Sequence, residues 1–148
     1  MHVQSNKPTK QSERTKTHIK KAFIELINEK GYSHVTVTDI VNRAQYNRTT
    51  FYLHYIDKEH LTEELQAEMF AAIKRTSMER YAKGKNIKIE KMGPQSFELV
   101  HYIYANKAFF NLYLKKDTIP GLHQDLPRAI YDILEENFTF TVPNSPTI

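Results

Sequence analysis

The 148 residues include no cysteine. Disulfides and thiolate metal sites are therefore excluded, which fits an intracellular protein. Glycine and proline are sparse, at 4 and 6 residues, too few for a loop-rich all-β chain. No apolar run approaches the ~20 residues a membrane span needs, and the polar N-terminus lacks the apolar core of a secretion signal. The expected location is cytoplasmic, with no membrane association. What is present is the composition of a folded globular chain, 40% hydrophobic and 26% charged. Its charge is unevenly placed. Residues 1–60 hold 10 Lys and Arg against 6 Asp and Glu, while residues 61–148 hold 11 of each. The whole excess of +4 lies in the first part, as in an anion-binding module joined to a segment that binds no polyanion.

The hydrophobic period is helical throughout, so the expected class is all-α. Residues 1–13 are polar and read as a flexible basic arm. From Arg14 to Lys30, Ile19, Ala22, Phe23, Leu26 and Ile27 recur at spacings of three and four, one buried stripe. Gly31 is a C-terminal stop. Thr36 and Asp39 have the spacing of a capping box, with Val35 and Ile40 as its staple. Asn47 starts a third, short helix, with Tyr46 and Phe51 as the staple. Asp57 caps a fourth, expected to run to about Tyr81. Lys83–Met92 reads as a loop. Helices are expected from Pro94, from Ala108 to Leu114 and from Leu126 to Phe138, with a break at Ile119-Pro120-Gly121.

Two short helices joined by a tight turn can lay the second in a DNA major groove, ~12 Å wide. On its first turn Asn47, Arg48 and Thr49 then face base edges, and Arg48 has the chemistry for bidentate pairing with guanine. Thr50 suits a phosphate oxygen, as do Tyr52 and His54 where the helix runs out. Tyr55 is grouped with them, its other reading being a core aromatic. Lys58 is expected to share a phosphate with free N–H groups of its own first turn. Thr36 and Thr38 offer the same contact from the start of the second helix.

These residues resemble those of the TetR family of bacterial transcription regulators. The likeness covers Arg14 to about Leu61. It rests on the first helix ending in EKGY, the TVTDI start of the second, and the run TTFYLHYIDKEHL. It implies a DNA-binding domain over 14–60, a homodimer on a palindromic operator in double-stranded DNA, and a helical regulatory domain over 61–148. A repressor released by a small-molecule inducer is the implied function, with Thr36, Thr38, Arg48, Thr49, Thr50, Tyr52, His54 and Lys58 inheriting the DNA contacts. The segments YIYANKAFFNLYLKK and AIYDILEENF are similar to a C-terminal domain type of low-GC Gram-positive bacteria. Three departures stand out. Gln45 replaces a usual turn glycine, Tyr46 replaces a small apolar residue, and the chain stops at Ile148, several dozen residues short of the family's dimer-forming helices. The regulatory domain is accordingly expected to be shortened.

In the second half, Phe70, Ile73, Phe97, Val100, Tyr104, Phe109, Phe110 and Tyr113 form an expected inducer pocket, with core packing as the alternative. No second ligand stands at helical spacing from His101, and neither it nor His123 is expected to hold a metal. No cofactor is expected. Without a nucleophile constellation, a Gly-rich phosphate loop or paired histidines, the chain does not read as an enzyme. Glu63-Glu64 and Glu135-Glu136 read as solvated helix faces. The competing function is a truncated interaction module that pairs with another regulator and binds DNA weakly.

Overall fold

The computed structural model describes residues 9–78 and 98–137, and every regular element among them is helical. These are α1 (Lys10–Lys30), a 3-10 turn (Tyr32–His34), α2 (Val37–Ala44), α3 (Arg48–His54), α4 (Lys58–Met78), α5 (Glu98–Ala105), α6 (Lys107–Phe110), a second 3-10 turn (Asn111–Leu114) and α7 (Leu122–Asn137). Two compact units result. The first is Met1–Leu65 together with Leu114–Ile119; the second is Gln66–Tyr113 together with Pro120–Ile148. The expected arm up to residue 8, the end of the fourth helix near Tyr81, the 83–92 loop, the start at Pro94 and Phe97 lie outside the described residues. Among the described residues, no helix is long and apolar enough to cross a membrane.

In the first unit α1 begins four residues before the expected Arg14. Thr9 caps it, its Oγ1 accepting from Ser12 N at 3.0 Å. That first turn carries no apolar residue, so periodicity alone starts the helix late. Ile19, Phe23, Leu26 and Ile27 from α1 join Val35, Ile40, Val41, Phe51, Tyr55, Leu61 and Leu65 in the core. α1 packs against α2, and α2 against α3. Arg43 of α2 forks onto α1, reaching Glu25 at 3.2 Å and Glu29 at 2.7 Å.

At the end of α1 the Gly31 N–H donates to Ile27 O, and the residue turns with φ +86° and ψ 151°. This is a region open almost only to glycine. The turn is closed by a distant residue. The Tyr32 N–H donates to Asp117 O at 3.1 Å. Ser33 donates to the Asp117 carboxylate from its N–H at 3.1 Å and its hydroxyl at 2.6 Å. The serine hydrogen bond lowers the Asp117 carboxyl below its ordinary value, against an opposing effect of burial.

The boundary expected after residue 60 moves accordingly. The first unit runs on into α4 as far as Leu65 and takes back Leu114–Ile119. In the second unit Ile73, Phe109, Leu112, Leu122, Leu126 and Ile133 are buried. The expected helix from Ala108 to Leu114 divides into α6 and a 3-10 turn. α7 starts at Leu122 rather than Leu126, because Gln124 and Asp125 N–H groups close onto Gly121 O. Pro127 therefore falls inside the helix, where it lacks one ladder donor.

Candidate nucleic-acid interface

The start of α2 is built as its sequence dictates. Thr36 Oγ1 accepts from Asp39 N at 3.1 Å, and the Asp39 carboxylate accepts from Thr36 N at 2.9 Å, a complete capping box. Lys30 binds the same carboxylate at 2.8 Å. The Lys30 contact and the Thr36 N–H hold the Asp39 carboxyl down at about 2. Val35 and Ile40 are both buried as a staple. α2 ends on Gln45 in the left-handed region, φ 62° and ψ 40°. Such a conformation costs a non-glycine residue roughly 1 kcal/mol more than glycine. The following Tyr46 N–H donates to Val41 O at 2.9 Å. The Tyr46 hydroxyl meets His18 Nδ1 of α1 at 2.8 Å, so the unusual tyrosine fastens the turn to the first helix.

Asn47 caps α3, accepting from Thr50 N at 2.8 Å and from the Thr50 hydroxyl at 2.9 Å. Phe51 is the single inward anchor of this seven-residue helix. Around it Arg48, Thr49 and Tyr52 are exposed, and Thr50 and His54 are partly covered. Arg48 is held in place. Its Nη1 donates to Thr38 Oγ1 at 3.0 Å, its Nη2 to the Tyr52 hydroxyl at 3.3 Å, and its guanidinium carbon lies 5.8 Å from the Tyr52 ring centre. Thr38, Arg48 and Tyr52 thus form one polar ledge across α2 and α3. It presents donors and hydroxyls that suit phosphate or base-edge acceptors.

Two expected site residues are engaged within the first unit, Tyr55 buried and Lys58 partly exposed. Tyr55 is 1% exposed and packs on Phe51 with ring centres 5.5 Å apart. Its hydroxyl donates to Glu64 Oε2, so it is core and not a surface contact. Lys58 Nζ donates to Tyr32 O at 3.0 Å and Val35 O at 3.1 Å, and stands 4.2 Å from the Tyr32 ring centre. Two of its three donors therefore satisfy the end of the 3-10 turn. Glu64, expected on a solvated face, is only partly exposed, 28% at its side chain, and is fully engaged. It binds Lys16 at 3.0 Å and Lys20 at 3.1 Å besides Tyr55. Burial alone would raise its carboxyl, but these hydrogen bonds outweigh burial and lower it to about 2.

Leu53, absent from the expected set, is 76% exposed on α3. An apolar residue in a short helix reads as core by type. Its position two residues after Phe51 turns it to the opposite side, and that spacing was the available signal.

The expected inducer-pocket residues that the structure describes differ in exposure. Val100, Tyr104 and Tyr113 are exposed, whereas Ile73 and Phe109 are core. Aromatic pairs such as Phe109 with Phe110, 5.4 Å apart, fill the second unit. An open cleft of about 270 Å³ lies elsewhere, lined by Phe70, Ala71, Lys74, Ala129, Asp132 and Ile133. Only Phe70 is common to both sets. Among the described residues, no three His, Asp or Glu side chains cluster as a metal site would require.

Residues 19–65 match the model of the bacterial regulatory proteins of the tetR family. The uncharacterized HTH-type transcriptional regulator YxbF of Bacillus subtilis (strain 168) is 18% identical over 114 residues, which are 77% of this chain and 30% of that protein. The crystal structure of a TetR-family transcriptional regulator from Haemophilus influenzae RD superposes with a TM-score of 0.60 at 16% identity. It covers 81% of this chain and 64% of its own. The chain thus spans under a third of the first relative's length and just under two thirds of the second's. Residues 19–65, from the middle of α1 into α4, are thus the part of the chain that is similar to the bacterial regulatory proteins of the tetR family.

Proposed function

We propose that this chain is a sequence-specific DNA-binding transcriptional regulator, a repressor that binds a palindromic operator as a homodimer and is released by a small-molecule inducer. The observation that carries the reading is the fixed polar ledge of Thr38, Arg48 and Tyr52. An arginine already oriented by two hydroxyls loses less freedom when it meets an acceptor on DNA. Thr36, Asn47, Thr49, Thr50 and His54 flank the ledge as further contacts. The excess of basic residues in positions 1–60 supplies the sequence-independent attraction. The cleft at Phe70, Lys74 and Asp132, apolar with one charge of each sign, is the inducer site in this reading.

Selection of bound fragments from randomised duplex DNA tests it. Recovery of a two-fold palindrome is the expected result. A single half-site would remove the homodimer, and no motif at all would remove sequence-specific binding in favour of a module that acts through a protein partner.

A further inference from the structure

Successive residues of an α-helix are roughly 100° apart. Relative to buried Phe51, Thr49 and Leu53 point ~160° away, on opposite sides of the outermost line of α3. Arg48 and Tyr52 lie on the shoulder next to that line, bent back to Thr38. The crest that reaches deepest into any groove is therefore not the arginine. It is a threonine and a leucine one turn apart, with the leucine 76% exposed.

We propose that Leu53, with Thr49, reads the 5-methyl group of thymine, so that specificity at the centre of each half-site rests on a methyl contact and not on an arginine–guanine pair. The proposal rests on the DNA-binding reading above. The major-groove edge of an A·T pair offers one apolar feature, the thymine methyl, beside two hydrogen-bond acceptors and the adenine amino donor. The crest matches that pattern. Leu53 is the apolar side chain of that outer line, among the hydroxyls of Thr49 and Tyr52 and the guanidinium of Arg48; the other exposed aliphatic nearby, Ile56 at 77%, lies beyond the end of α3. A protein hot spot wants a larger apolar anchor ringed by near-neutral contacts. Charge also favours DNA. The nearby acids Glu25, Glu29 and Asp39 are tied to Arg43 and Lys30.

The test uses the full chain and the duplex recovered by selection. Each thymine is replaced in turn by deoxyuridine, which lacks only the methyl group, and wild type and Leu53→Ala are titrated on every duplex. The expected result is at least one position per half-site where the wild type loses about four-fold in affinity, the worth of one buried methyl, and where Leu53→Ala shows no such loss. An unchanged melting temperature for Leu53→Ala is expected from its exposure. Methyl-insensitive binding by the wild type, or a full deoxyuridine loss retained in Leu53→Ala, overturns the assignment while leaving the DNA reading intact. Failure to recover any motif overturns both.

Discussion

Lys58 directs two of its three donors at the carbonyls of Tyr32 and Val35. Its sequence position suggests a ligand for DNA, yet its immediate work is to close the turn that leads into α2. A charge-assisted hydrogen bond contributes about 1.5–3 kcal/mol. Replacing Lys58 by Ala is expected to lower the unfolding free energy by about 2 kcal/mol in urea titrations without any DNA. An unchanged midpoint would mean that the carbonyl contacts add nothing to stability. The same substitution measured only by DNA affinity would confuse a displaced α2 with a lost phosphate contact, so the two readouts belong together.

At the scale of elements, Glu64 gathers α1, the end of α3 and α4 through Lys16, Lys20 and Tyr55. Its carboxyl lies at about 2 in the folded protein against an ordinary 4.5. A lowered folded value gives stability that is complete above 4.5 and is lost as pH falls towards 2. Glu64→Gln is expected to cost about 2 kcal/mol near neutral pH, a figure already reduced for solvent screening. Thermal melts of both forms should converge as pH drops through that window, because protonated Glu and Gln are then nearly equivalent. A gap that stays constant would place the network's contribution elsewhere. This element-level glue is where sequence and structure part. The capping box of Thr36 and Asp39, the Asn47 cap and the Val35–Ile40 staple involve residues three to five apart, and local chemistry made them legible. The role of Glu64 was not, because its partners lie up to 48 positions away. The interface was legible in part: Arg48 by charge and Thr38 and Tyr52 by hydroxyl, but not their union into one ledge. Tyr55 carries two open readings in the sequence, surface contact and core aromatic, and Leu53 belongs to no expected set, because residue type alone does not fix a side and the turn of the helix does.

The first unit is held together by pieces far apart in the chain, and Gly31 shows the consequence. Its φ of +86° disfavours any side chain, and a Cβ there would also run into the Asp117 carboxylate. Gly31→Ala is expected to destabilise by about 2 kcal/mol or more from the backbone region alone. In a double-mutant cycle with Asp117→Ala the two losses should not add, since removing the carboxylate relieves the collision but not the backbone strain. Strict additivity in melting would show that the aspartate does not press on this turn. Synthesis order follows from the same contact. Ser33 and Asp117 are 84 positions apart, so a ribosome completes α1 to α3 long before it makes the residue that closes the turn between α1 and α2. Until then the turn keeps its local bonds, His34 N–H to Gly31 O and Val35 N–H to Tyr32 O, and the Lys58 clasp, but it lacks the Asp117 contacts, as would any fragment cut before residue 114.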